Sequence, residues 1–266
     1  MKRTVVFWAI ILIAVGVLLL LGALGVIPFG WGLFWPLLLI TAGAWLVWAA
    51  LTRSGVVEIQ EASIPLGDAA RVHLSIHHGA GRLNITSGAP SDQLANGRFG
   101  GGLDFRTSRA GDLLDVHMRI PDQGGRWANP WSWTSGGFDW NIGLTSEVPI
   151  DLELETGAGT VEADLSGLRV GSLGLRTGAS SSKLVLPANA GYTRVEVEGG
   201  AASVVMRVPS GVAARIFGHQ GGASSTKVDL QRFPRVGNDY QSADYETATN
   251  KADIQTRMGA GSVEVQ

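Results

Sequence analysis

Gly157-Ala158-Gly159-Thr160-Val161-Glu162-Ala163-Asp164-Leu165 is the stretch on which the fold turns. A glycine-led turn is followed by apolar residues at every second position. The pattern returns as Gly178-Ala179-Ser180-Ser181-Ser182-Lys183-Leu184-Val185-Leu186 and as Gly200-Ala201-Ala202-Ser203-Val204-Val205-Met206. It returns again as Gly222-Ala223-Ser224-Ser225-Thr226-Lys227-Val228-Asp229-Leu230. Earlier it reads Gly79-Ala80-Gly81-Arg82-Leu83-Asn84-Ile85, and Gly259-Ala260-Gly261-Ser262-Val263-Glu264-Val265 closes the chain. From Gly157 the steps are 21, 22 and 22 residues, then 37 to Gly259 across a polar insertion around Asn238 to Lys251.

Each turn is approached by a second alternating run, such as Ile150-Asp151-Leu152-Glu153-Leu154-Glu155 or Thr193-Arg194-Val195-Glu196-Val197-Glu198. Period-2 alternation is the signature of a strand with one buried and one wet face. The unit is therefore strand, Gly-Ala turn, strand, repeated at about 22 residues. Such a unit cannot bury its apolar face alone, whereas stacked units share a continuous core. The sequence predicts an all-β domain over residues 54–266, a β-solenoid or a repetitive two-sheet sandwich. The Gly count of 37 against 10 Pro fits many tight turns.

The first fifty residues have another composition. Thr4 to Ile27 and Phe34 to Leu51 carry no charge. As helices they rise about 36 Å and about 27 Å, against a hydrocarbon core of about 30 Å. Pro28-Phe29-Gly30-Trp31-Gly32 between them reads as a tight turn with an interfacial Trp. Residues 1–53 are thus predicted to be a two-helix transmembrane hairpin, with spans at 4–27 and 34–51. The first apolar run is too long for a signal peptide, and a second follows directly. Lys2, Arg3 and Arg53 flank the hairpin, and its turn has no positive charge. The positive-inside rule then places both termini in the cytoplasm of a plasma-membrane protein. Neither span holds an ionisable residue of the kind that marks pumps and proton relays.

After residue 51 there are 19 basic and 23 acidic residues, a net charge of −4 with no Lys/Arg run. This excludes a nucleic-acid footprint. The absence of cysteine excludes disulfides, thiolate zinc sites and thiol catalysis.

The membrane hairpin, with Gly16-Val17-Leu18 and Trp35-Pro36-Leu37-Leu38-Leu39-Ile40 followed by Gly43, resembles the LiaI/LiaF-like transmembrane region. The Gly-Ala-Gly repeats resemble the toast-rack, adhesin-like β domains and the C-terminal domain of LiaF-like proteins. Together the resemblances span nearly the whole chain. They imply a bacterial envelope protein, in some cases tied to cell-wall stress signalling through a membrane sensor kinase, with no catalytic residues to carry over. The chain has fewer predicted spans than LiaF-type proteins.

Several patterns invite chemistry. No Gly-x-x-x-x-Gly-Lys-Ser/Thr string is present, so the glycine turns do not form a P-loop. Ser180-Ser181-Ser182-Lys183 and Ser224-Ser225-Thr226-Lys227 both match Ser-x-x-Lys, an acylating motif that works at a helix start. Here both sit at one register of a β repeat, which reads as a solvent-facing strand entry. His73, His77 and His78 read as an exposed polar strand, short of the three or four ligands a metal needs. Glu153, Glu155, Glu162 and Asp164 read as a wet strand face. The sequence thus predicts no enzyme, no metal and no cofactor.

One segment, an insertion at about 122–147, escapes the repeat: Arg126-Trp127-Ala128-Asn129-Pro130-Trp131-Ser132-Trp133-Thr134-Ser135-Gly136-Gly137-Phe138-Asp139-Trp140. Its alternation suits a β-hairpin with aromatics on one face. Two readings compete. The face folds down and caps the open end of the stack, or Trp127, Trp131, Trp133, Phe138 and Trp140 form a contact surface for a partner or the bilayer interface. The expectation taken forward is the contact surface on a non-enzymatic scaffold of the envelope stress response, working on a membrane sensor kinase or another envelope protein, with homo-oligomerisation open. The alternative is a surface adhesin or self-assembling envelope component with the β domain outside.

Overall fold

The computed structural model describes residues 59–121, 138–217 and 223–266, together with Trp45. The predicted membrane hairpin and most of the aromatic insertion lie outside the described residues. Everything else belongs to one β unit.

Its strands are β1 (Ile59–Pro65), β2 (Arg71–Ser87), β3 (Gln93–Gly100), β4 (Asp104–Ala110), β5 (Leu113–Arg119), β6 (Trp140–Leu144) and β7 (Ile150–Asp164). There follow β8 (Val170–Val185), β9 (Tyr192–Arg207), β10 (Ala213–Phe217), β11 (Ala223–Val228), β12 (Arg235–Val236), β13 (Asp239–Gln241) and β14 (Lys251–Val265). All fourteen join one open sheet.

The long strands β2, β7, β8, β9 and β14 lie parallel in that order. Each carries a Gly-Ala element at its middle. That element is a corner inside one strand rather than a turn between two, a correction to the predicted unit. Buried residues step by five across it: His78 to Leu83, Thr156 to Val161, Thr177 to Ser182 and Met258 to Val263. An odd step shifts the period-2 phase by one, and both halves of the strand then keep their apolar residues in the core.

The core is built of ladders. Before the corner, Val116, Leu74, Leu152, Leu173, Val195, Ile254 and Ile216 lie in register across seven strands. After it, Trp140, Leu83, Val161, Ser182, Val204 and Val263 do the same across six. The offsets of 21 residues from β7 to β8 and 22 from β8 to β9 are the repeat spacing made physical.

Glycine is demanded where corners stack. Gly159 (φ 141°) and Gly261 (φ 128°) adopt left-handed backbone. A Cβ at these positions would lie 2.0 Å from the Gly81 carbonyl oxygen and 1.9 Å from that of Ala202. No side chain fits there.

Spatial order departs from chain order at both ends. β2 lies between β7 and a coil made of β5 and β6. β14 lies between β9 and a coil made of β10 and β11. Each end coil is split: its two halves are separate strands, β5 and β6 at one end and β10 and β11 at the other. Antiparallel strands flank these ends, with β4 on β5, β3 and β1 beyond β6, and β13 and β12 beyond β10.

Candidate interaction site

In the chain the aromatic insertion follows β5, and its described residues resume at Phe138, just before β6. Its return is firmly held. The carbonyl of Phe138 accepts a hydrogen bond from His78 Nε2 at 2.7 Å. The carbonyl of Asp139 accepts from Gly100 N at 3.0 Å, and its Oδ1 accepts from Arg82 N at 3.1 Å. Trp140 follows as the first residue of β6, inside the predicted insertion, and pairs in register with Leu83.

That register decides the fate of Trp140. Leu83 belongs to an inward ladder, so Trp140 points into the core and is 0 % exposed. Its ring meets Phe99 edge-on at 5.1 Å and His78 at 5.4 Å, and Nε1 donates to the Gly100 carbonyl at 3.1 Å. Trp140 is therefore a core residue, and its place in the expected contact surface is corrected. Phe138 is half-buried. Trp127, Trp131 and Trp133 lie outside the described residues.

The insertion's exit sits close to its return. A Cβ on Gly102 would lie 3.3 Å from the Pro121 ring and 3.4 Å from Gln60 Oε1, and that Oε1 accepts from Leu103 N at 2.9 Å. Gly100, two residues earlier, pairs with Ile59. Ile59, Gly100 to Leu103, Pro121 and Phe138 to Trp140 thus meet at one corner of the domain.

The histidines divide. His77 is exposed and reaches Glu155 Oε2 at 2.8 Å across neighbouring strands. His78 is buried, against the expectation of an exposed strand, because it falls in register with the inward Thr156. Burial pulls its pKa below the usual histidine value, opposed by the bond to Phe138 and the charge of Asp139. A neutral ring with the proton on Nε2 satisfies the Phe138 carbonyl. Only the register of the repeat could have singled out His78 from the sequence.

The other candidates resolve as parts of the scaffold. Glu153, Glu155, Glu162 and Asp164 are exposed, on the wet face. Lys183 pairs with Glu162 at 3.6 Å. Ser182 is buried rather than solvent-facing, and its hydroxyl meets that of Ser180 at 3.2 Å, which in turn bonds Thr177. Tyr245 and Tyr192 donate to the two oxygens of Asp253 at 2.5 and 2.9 Å, fastening the polar segment before β14 to the sheet. Burial, then the hydrogen bond to Asp253, raises the Tyr245 pKa. A polar groove of about 640 Å³ runs over β1, β3, β6 and β2, between the amides of Asn84, Asn96 and Asn141 and the Glu61–Arg98 pair at 3.5 Å. Among the described residues no group of three or more His, Asp or Glu is placed to hold a metal.

Residues 53–207 match the model of the N-terminal domain of toast_rack, and residues 6–47 match that of the LiaI-LiaF-like transmembrane region. The chain belongs to the toast-rack family. Its N-terminal part is a LiaI-LiaF-like transmembrane region, so the β domain is membrane-anchored. Among solved structures, a candidate cell adhesion protein from Clostridium sporogenes ATCC 15579 is similar, with a TM-score of 0.70 and 19 % identity. The match covers 79 % of this chain and 98 % of that one, and shows a shared fold. A candidate adhesin from Bacteroides fragilis NCTC 9343 aligns over 80 % of this chain and 98 % of its own, at 8 % identity. Its TM-score of 0.25 carries no argument about fold. No curated protein matches.

Proposed function

We propose that this toast-rack protein is a non-enzymatic interaction module of the bacterial plasma membrane, which scaffolds or regulates a sensor kinase or another protein of the envelope stress response. The supporting observation is the hydrogen-bonded anchorage of Phe138 and Asp139, at the end of a stretch that is rich in tryptophan in the sequence. Three tryptophans, Trp127, Trp131 and Trp133, lie on a stretch whose return to the domain is fixed by hydrogen bonds from His78, Gly100 and Arg82. Fixed roots and a large amphipathic payload are what a binding loop needs. His77 stands between the Ser75 hydroxyl, 3.1 Å from its Nε2, and Glu155 Oε2, 2.8 Å from its Nδ1, but Ser75 is buried, which fits recognition better than turnover.

In this reading the anchor has two spans and both termini are cytoplasmic, where a kinase domain is within reach. A photo-crosslinker at position 131 in growing cells should capture a discrete membrane partner, and the capture should vanish in the Trp127→Ala, Trp133→Ala double variant. A reporter active only in the cytoplasm, fused after Gln266, should be active. An inactive, stably expressed fusion places the domain outside and turns the reading toward an adhesin or self-assembling component. That alternative draws on one observation, that among the described residues β1 borders the sheet with β3 as its one strand partner.

A further inference from the structure

We propose that the polar groove over β1, β3, β6 and β2 is a binding site for a neutral glycan, a chain of uncharged, hydroxyl-rich sugar rings. The proposal goes beyond the interaction reading and does not rest on it, because it uses a face of the sheet rather than the aromatic stretch. Three observations carry it.

The first is how the groove is made. Strand register lays two rows of residues side by side on the wet face. One row runs Glu61, Arg98, Asn141, Asn84, and the next runs Ser63, Asn96, Gly143, Thr86. Gly143 leaves a dip in the second row. A Cβ there would lie 2.6 Å from Asn96 Oδ1 and 3.4 Å from Ala89 N. The backbone of Gly88 and Ala89 walls the dip, held by hydrogen bonds from both amides to the Leu144 carbonyl at 3.0 and 3.2 Å. Walls and floor are paired backbone, so the shape exists before a ligand arrives, which lowers the cost of binding.

The second is the inventory of donors and acceptors. Asn84 Nδ2 donates to Asn141 Oδ1 at 3.3 Å. That bond leaves the Asn84 oxygen to accept and the Asn141 amino group to donate. Among the described residues, the Asn96 amide and the Ser63 and Thr86 hydroxyls have no hydrogen-bond partner. Amides and hydroxyls each offer both a donor and an acceptor. A sugar hydroxyl gives one hydrogen bond and takes two, so it matches such groups, whereas a phosphate can only accept and an ammonium can only donate.

The third is charge. Of the described residues that line the groove, Glu61 and Arg98 alone are ionised, and they pair at 3.5 Å. Beyond the groove the row of Asn84 continues into Glu162 and Lys183, a charged pair at 3.6 Å. Ionised residues thus give way to amides and hydroxyls where the groove begins. A charged ligand finds no lone counter-charge among them. An extended peptide binds by joining a sheet edge, and here the backbone groups under the ligand are already paired. The volume of about 640 Å³ and a span of three inter-strand spacings, about 14 Å, suit a run of rings rather than one.

The test uses the full-length protein in phosphatidylcholine nanodiscs, free of sugar-headed detergent. The probes are cellohexaose, maltohexaose and the N-acetylglucosamine hexamer, with the galacturonic acid hexamer as charged counterpart. Saturation transfer from protein to ligand, followed by NMR, should be saturable for at least one neutral hexamer, weaker for the acid, and alike at low and high salt. Gly143 has ordinary strand backbone, so Gly143→Ala fills the dip without left-handed strain. Asn96→Ala removes an amide that is half-buried at the surface. Each should weaken binding about fivefold or more. Lys183→Ala, on the same face outside the groove, should leave binding unchanged. Thermal midpoints report folding, and Asn96→Ala decides alone if Gly143→Ala does not fold. Transfer to none of the neutral hexamers overturns the proposal, as does transfer undiminished in the groove variants or strongest for the acid. A peptide of alternating Ser and Thr that binds as tightly, and is lost in the same variants, makes the groove a peptide site and also overturns it. No kinase or envelope protein is present, so failure here is separate from failure of the crosslinking test.

Discussion

The middle of the stack and its two ends obey different rules. In β7, β8 and β9 each coil is one unbroken strand with a glycine-led corner, and every neighbour is parallel. At the ends each coil is cut into two separate strands, and antiparallel strands flank it. The middle solves a packing problem, because identical corners can stack only where backbone meets backbone. The ends solve a termination problem, because a parallel stack left bare would offer a template to another chain. Freed from the corner constraint, an end coil can carry residues that a middle coil cannot. The aromatic insertion sits at such an end.

The sharpest way to break this comparison is to put a side chain where the middle forbids it. Gly261→Val should destabilise by about 3 kcal/mol or more, through left-handed strain and a clash with the Ala202 carbonyl. Gly211 also has positive φ, at 90°, but a Cβ there meets nothing within 4 Å. Gly211→Ala should therefore cost only the backbone strain, about 1 kcal/mol. Urea unfolding of both variants checks the pair. Equal losses would mean that corner stacking adds nothing to the glycine requirement.

This contrast also marks how much was legible in the sequence. The 21- and 22-residue steps and the alternation of Leu152, Leu154 and Val161 were readable because they are local, and they became the parallel register. The insertion of β2 and β14 into the stack was not readable. Gly259-Ala260-Gly261 is as good a neighbour for Gly200-Ala201-Ala202 as Gly222-Ala223-Ser224 is, so local pattern cannot choose between them. Trp140 and His78 were misplaced for the same reason. Trp140 looks like part of an aromatic hairpin, and only pairing with Leu83 turns it inward. His78 looks like one of three polar neighbours, and only pairing with Thr156 buries it.

His78 allows the end coil to be tested by pH. Its folded pKa lies below the unfolded value of about 6.5, so the unfolded chain takes up the proton first. The stability His78 contributes is complete above pH 6.5, declines as pH falls below it, and levels off once pH has passed the folded pKa. His78→Asn keeps a donor for the Phe138 carbonyl but does not titrate. The difference in unfolding free energy between wild type and variant should be constant from pH 7 to 8 and should shift in the variant's favour below pH 6.5. A difference independent of pH from 8 to 5 would mean that His78 titrates alike in both states. Hydrogen exchange at residues 138 to 140 should rise over the same window if the anchor of the insertion loosens with it.

The smallest effect belongs to the wet face of the middle. Arg119, His77, Glu155, Arg176, Glu198 and Arg257 lie in register on neighbouring strands, a row in which Arg176 and Arg257 flank Glu198 at 3.5 and 2.8 Å. All three are substantially exposed, so water and salt screen them, and each pair is worth about 0.2 to 1 kcal/mol. Arg257→Ala should lower the unfolding free energy by no more than that, and by less in 0.5 M salt than in 0.05 M. The double variant Arg176→Ala, Arg257→Ala should lose more than the two single losses added, because either cation alone still pairs with Glu198 and each single removal also relieves the repulsion between the two guanidiniums. A loss above about 2 kcal/mol, or one unaffected by salt, would assign the charged row a part in holding the coils together. The expected small loss leaves that part to the buried ladders and the glycine corners, and leaves the row free to vary without cost to the fold.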